Sequence, residues 1–128
     1  MTNYENFKHS DITEKIIKGF YNVYNVLGYG FLEKVYEKSL NIELLKLGLF
    51  PLRQQEIKVY YGDDEVGEYY ADIIVNGCVI IELKAVEYIL TEHETQLVNY
   101  LKATEIEVGL LLNFGKKPEF KRKVFSNE

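Results

Sequence analysis

The chain has 128 residues, 47% of them hydrophobic and 27% charged, which excludes a disordered tail or a low-complexity scaffold and suits a soluble globular protein of one domain, residues 1–128 with a core of about 11–125. A net charge of -5 argues against a surface that binds phosphate all over. The polar start, the lack of an apolar run near the ~18 residues of a membrane span and the single Cys78 predict no signal peptide, no membrane partner, no internal disulfide and a cytoplasmic setting.

From Ser10 or Asp11 to Leu27, Ile12, Ile16, Phe20, Val23 and Leu27 recur at spacings of four and three, which predicts a helix. Ser10 or Asp11 is its candidate cap, and Gly28-Tyr29-Gly30 ends it. A second helix is predicted from about Leu32 to Leu47, with Leu32, Val35, Tyr36, Leu40, Leu44 and Leu47 on one face and Gly48 as its stop. The period then changes to two. Gln55 to Tyr61 and Val66 to Val75 read as strands around the turn Gly62-Asp63-Asp64, Asn76-Gly77 as a hairpin turn, and Cys78 to Leu83 as a third strand. Glu92 to Ala103 reads as a helix capped by Thr91, Glu107 to Asn113 as a buried strand, and Lys121 to Phe125 as a short edge strand. The order α-α-β-β-β-α-β predicts a mixed α/β sheet flanked by helices.

The informative stretch is YYADIIVNGCVIIELKA. Asp72 interrupts one apolar strand, and Glu82 and Lys84 end the next, two apart and so on one face. A charge within a central strand costs several kcal/mol unless it is paired or binds a metal. A buried ion pair explains two of these charges and leaves the third over. Two carboxylates suit Mg²⁺, which prefers oxygen ligands, and a lysine beside them can stabilise charge that builds on a phosphate; together they suit metal-assisted phosphodiester hydrolysis. The backbone carbonyl of Leu83 is a further candidate ligand.

Asp72 followed ten residues later by Glu82-Leu83-Lys84 resembles the PD-(D/E)xK nuclease motif, and Gly30-Phe31-Leu32-Glu33-Lys34-Val35-Tyr36 resembles the signature of the GxxExxY protein family, a branch of that superfamily. GEYYADIIV, VIIELKAV, HETQLVNYLKAT and VGLLLNFG also resemble that family, over about Asp11 to Phe125. The resemblance implies a restriction-endonuclease-like fold and a Mg²⁺-dependent nuclease, with Mn²⁺ as substitute and DNA preferred to RNA. It implies catalytic roles for Glu33, Asp72, Glu82, Lys84 and Gln96, with Asp72, Glu82 and the Leu83 carbonyl as metal ligands. Gln96 and Tyr100 match the QxxxY helix motif of the RecB-type branch, and Ala71 stands where the pattern has proline.

For phosphate contacts the candidates are Arg53, Lys102, Lys116, Lys117, Lys121, Arg122 and Lys123, with Tyr100 beside them. Gly115 to Phe125 holds five basic residues against one acid, a local +4 within the net -5. The plainer readings are a solvated edge for this run, a helix-dipole acid for Glu33, a packing residue for Tyr36, a surface residue or a support behind the site for His93, and an inert thiol for Cys78. The alternative function is a nucleic-acid-binding or assembly module that keeps the fold without turnover; a homodimer and a protein partner that supplies DNA affinity are compatible with either.

The hairpin tests this reading. A two-residue loop at Asn76-Gly77 would pair Asp72 with Ile81 and send Asp72 and Glu82 to opposite faces. A shared site requires an odd-numbered loop or a bulge, such as a three-residue turn with a left-handed glycine.

Overall fold

The computed structural model describes residues 8–127. Helices α1 (Ser10–Leu27) and α2 (Glu33–Lys46) precede strands β1 (Pro51–Tyr61), β2 (Asp64–Val75) and β3 (Val79–Lys84); then come helix α3 (Thr91–Lys102) and strands β4 (Val108–Phe114) and β5 (Pro118–Val124). The strands lie in the sheet in chain order, antiparallel except for β3 and β4, which are parallel and joined through α3. The predicted mixed sheet flanked by helices, in the predicted order, is the observed one. Among the described residues no helix is long and apolar enough to cross a membrane.

The sheet carries a separate core on each face. On one, Ile16 and Phe20 of α1 and Tyr36, Leu40 and Leu44 of α2 pack against Ile73, Val75, Ile81, Leu83, Leu110 and Leu112. On the other, Leu97, Tyr100 and Leu101 of α3 cover Ile57, Ala71, Ile80 and Leu111. β4 is buried along its whole length because it is covered on both faces, which accounts for its unbroken apolar run. Gly109 lets α3 approach it: a Cβ there would lie 2.7 Å from Leu97 Cδ1.

Two predicted caps differ. The residue before α1 is His9 with φ 55°, and no side chain caps that helix end. α3 is preceded by Leu90, with Thr91 already inside the helix; the His93 imidazole Nδ1 accepts the Leu90 N–H at 3.0 Å. The side chain that closes this end is thus His93, whose role is structural. At the other turn the prediction holds: Gly28 and Gly30 both have positive φ, and the Tyr36 hydroxyl donates to the Gly28 carbonyl at 2.7 Å. Tyr36 is wholly buried and stacks on Phe114 at 4.3 Å, so it anchors the α1–α2 turn to the sheet.

The hairpin between β2 and β3 decides where the charged residues go. Val75 pairs with Val79, which leaves a three-residue loop of Asn76, Gly77 and Cys78. Asn76 and Gly77 have φ 53° and 65°, and the Cys78 N–H closes the turn on the Val75 carbonyl at 3.0 Å. Asn76 also exchanges hydrogen bonds with Phe50, its Oδ1 accepting the Phe50 N–H at 2.8 Å, which ties the hairpin tip to the start of β1. Cys78 is thus a loop residue and not the first of β3. The odd loop is the one a shared site requires: Asp72 and Glu82 fall opposite each other.

Candidate functional site

The ladder between β2 and β3 holds only from Ile73–Ile81 to Val75–Val79. Beyond it β2 stays with β1 and β3 stays with β4, so the sheet forks. Asp72 and Glu82 stand at the fork and replace the missing rung with their side chains. Glu82 Oε2 accepts the Asp72 N–H at 2.9 Å, and Asp72 Oδ2 accepts the Leu83 N–H at 2.8 Å. These reciprocal bonds hold the two carboxylates side by side.

The alternation of β2 also breaks here. Ala71 packs into the core under α3, whereas Ile73 and Val75 pack under α1 and α2. Gln54, which would face Asp72 across β1, is missing from the ladder and has φ 52°, in the left-handed region that a non-glycine residue adopts at a cost of about 1–2 kcal/mol. A network holds it there: Glu37 accepts from Gln54 Nε2 at 2.9 Å and from Arg53 Nε at 2.8 Å, with Lys34 Nζ 3.4 Å away. Local strain at a functional site is tolerated when its surroundings over-determine it.

Burial dominates the electrostatics. It pushes the Asp72 carboxyl up; the Leu83 N–H and the Lys84 charge oppose this, and the Glu37 and Glu33 carboxylates add to it. Burial and then Asp72 push the Glu82 carboxyl up to about 8, with Glu33 adding and the Asp72 N–H and Lys84 opposing. Burial and the Glu82 and Asp72 carboxylates likewise raise the Tyr100 phenol, whose oxygen receives Gln96 Nε2 at 2.8 Å. The fork therefore brings together Glu33 from the start of α2, Asp72, Glu82, Lys84, and Tyr100 with Gln96 from α3. Helices on opposite faces of the sheet reach one site because the strands part between them.

No cation comes within 4.0 Å of either carboxylate among the described residues, so the buried ion pair considered from the sequence is not what the fold builds. One oxygen of each acid, Asp72 Oδ1 and Glu82 Oε1, is left without a hydrogen bond among the described residues. Two hard oxygen donors on adjacent carboxylates, with no cation beside them, fit a divalent cation that retains waters. No group of three or more His, Cys, Asp or Glu side chains suited to a metal occurs among the described residues; the donor set is this pair.

The basic candidates are dispersed. Arg53 is held by Glu37, and Lys123 pairs with Glu94 of α3 at 2.6 Å. Lys121 and Lys123 pair with Leu111 and Gly109, on the α3 side of the sheet, whereas Arg122 pairs with Leu110 on the other side and donates to the Lys8 carbonyl at 2.5 Å. Lys116 and Lys117 lie in the β4–β5 turn. Lys102 lies along a cleft beside α3 together with Gln96 and Tyr100. Glu37 is the residue the sequence reading missed. Its position four residues after Glu33, on the same face of α2, was the available signal.

The family model of the PD-(D/E)XK nuclease superfamily matches residues 10–123. The chain belongs to the PD-(D/E)XK nuclease superfamily. The match spans both helical layers and the whole sheet, and with it the fork. A crystal structure of SSO0001 is similar in fold, with a TM-score of 0.59 at 19% identity over 96% of this chain and 62% of that one. The chain thus spans less than two-thirds of the length of SSO0001. A search of the curated proteins finds no match. Divalent metals are general in the superfamily, and the carboxylate pair offers oxygen donors of the kind such metals take.

Proposed function

We propose that this protein is a metal-dependent nuclease of a single domain that hydrolyses phosphodiester bonds, in DNA rather than RNA, and that it lies in the GxxExxY branch of its superfamily. The observation that carries the reading is the carboxylate pair at the fork: two desolvated acids held side by side, each with one free oxygen and no cation within 4.0 Å among the described residues. Their hydrogen bonds to the Asp72 and Leu83 N–H groups bridge the fork, but a pair of acids is a costly way to do so, since a buried like charge is unfavourable unless something neutralises it.

Asp72 and Glu82 would hold the ion, Mg²⁺ or Mn²⁺ in its place, with the Leu83 carbonyl as a further ligand. When bound, the ion supplies positive charge at the phosphate and makes a nearby water more acidic. Lys84 supplies a proton donor and positive charge on the same face of β3, where it stabilises charge developing on the phosphate. Glu33 adds a carboxylate from the α2 side. Gln96 fixes the Tyr100 hydroxyl from the α3 side and positions the substrate. The Glu37 network holds β1 against Asp72 through Arg53 and Gln54.

Calorimetry with Mn²⁺ and Mg²⁺ tests this. The parent protein is expected to bind metal, and Asp72→Ala and Glu82→Ala each to abolish binding. Metal binding without hydrolysis of any DNA or RNA would replace the enzyme by the non-catalytic module; no binding even with a nucleic acid present would remove the metal site.

A further inference from the structure

Between the β1–β2 hairpin and α3 lies a cleft of about 770 Å³, lined by Lys58, Tyr60 and Tyr69 on the sheet side and by Gln96, Asn99, Tyr100 and Lys102 among the α3 residues. Tyr60 and Tyr69 are 58% and 48% exposed, so their rings are open to a ligand. Tyr69 sits 5.6 Å from the Tyr100 ring, tilted by 45°, and the two make a wall that is apolar on its face and polar at its edge. Tyr100 is also the residue that feels the Glu82 and Asp72 charges. The cleft and the carboxylate pair therefore share a wall, and a ligand seated in one lies beside the other.

The size and lining select the occupant. The volume falls in the range of ~300–1,000 Å³ that holds small molecules and is far too small for a duplex. Exposed aromatic faces stack on bases without regard to sequence, and side-chain amides such as Gln96 and Asn99 can hydrogen-bond a base edge that is not already paired. Lys102 puts positive charge at the rim, where Glu92 is the one acid among the lining residues, whereas Lys58 is paired with Glu56 and Glu65 at 3.7 and 3.5 Å, so stacking and side-chain amides carry the recognition and charge adds little. A base held inside a duplex presents neither its face nor its pairing edge to such a cleft.

We propose that this cleft receives an unpaired nucleobase of the strand being cut, stacked on Tyr69 and Tyr60, so that the substrate class is single-stranded or locally unpaired nucleic acid. This deepens the nuclease reading and rests on it only for the placement of the adjoining phosphate at Asp72 and Glu82.

The test is fluorescence anisotropy on the full chain carrying Glu82→Gln, in a chelator so that the slowed hydrolysis does not consume the probe, with three labelled probes: a short single strand, the same sequence as a closed hairpin duplex, and the single strand with abasic sites. The intact single strand is expected to bind at least about tenfold more tightly than the other two, in keeping with ~1–3 kcal/mol per stacked base. Tyr69→Ala and Tyr60→Ala should each weaken it about tenfold, whereas Tyr69→Phe should retain affinity. The salt dependence should not change in these variants, because no phosphate contact is lost. Equal binding of the intact and abasic strands, equal binding of strand and duplex, or no binding of any probe overturns the proposal. Base-dependent binding without cleavage by the unmodified chain in Mg²⁺ or Mn²⁺ would leave the cleft standing and remove the hydrolysis.

Discussion

Two acidic sites lie within reach of Asp72, and they are built on opposite principles. Glu37 is only 3% exposed and is surrounded by donors: Arg53, Gln54 and Lys34 converge on its two oxygens. Glu82 is 6% exposed, yet it has a backbone N–H on one oxygen, another acid beside it and no cation within 4.0 Å among the described residues. The first arrangement is complete without any further component, and charge is neutralised as it is buried. The second has no cation beside it among the described residues, and its burial is answered only by backbone N–H groups. The same residue type at almost the same burial thus marks a structural brace in one place and a candidate metal site in the other, and the difference lies in the partners.

The largest effect that would break this contrast concerns activity. Glu82→Gln should reduce hydrolysis by on the order of 10²–10³-fold, measured on labelled single strands in Mg²⁺, as expected when charge stabilisation at the reacting phosphate is lost. The fold should not suffer, because the amide oxygen of the introduced glutamine can still accept the Asp72 N–H and its NH₂ can donate to the Asp72 carboxylate. A variant that melts well below the parent would place Glu82 among the structural acids. Glu37→Ala should do the reverse. It strands the Arg53 guanidinium and releases Gln54, and should cost about 2 kcal/mol, on the order of 10 °C in Tm; the exposure of Arg53, 31% at its side chain, keeps the loss below that of a fully buried pair. An unchanged melting curve would mean that the network does not brace β1.

The smallest expected effect is in the pH dependence of the metal-free protein. The Glu82 carboxyl is raised from an ordinary 4.5 to about 8 in the fold, so folding favours the protonated form. The stability this contributes is fully present below about 4.5 and is lost as pH rises toward 8. Thermal melts in a chelator should therefore show Tm falling across that window. Glu82→Gln should flatten the fall, and so should saturating Mg²⁺, which binds the charged form. A flat profile in the parent would show that the two carboxylates are already compensated.

Local chemistry makes much of the fold legible. The helical spacing of Ile12 to Leu27, the strand alternations, the terminating glycines and the apolar run of β4 each follow from one period or one turn residue, and these set the element order. The two helix caps escape such a reading because several polar residues cluster at each helix start, and only the backbone path decides which one sits at the end. The candidate site is legible as a residue set, since Asp72, Glu82 and Lys84 are costly in apolar strands. Its geometry is not. Asn76-Gly77 suits a loop of two residues or of three, and one residue in that loop decides whether the carboxylates meet or face apart.

The sequence by itself thus determined which segments are helix and strand, and which charges demand an explanation, because propensity, period and the cost of burying charge are local properties. Only the tertiary structure decided that β2 and β3 part at Asp72 and Glu82, that Glu37 gathers Arg53 and Gln54 across 16 and 17 residues of chain, and that Tyr69 and Tyr100 wall a cleft beside the acids. Those are distances between residues remote in the chain. They are fixed by the simultaneous packing of helices on both faces of one sheet, which no window of sequence contains.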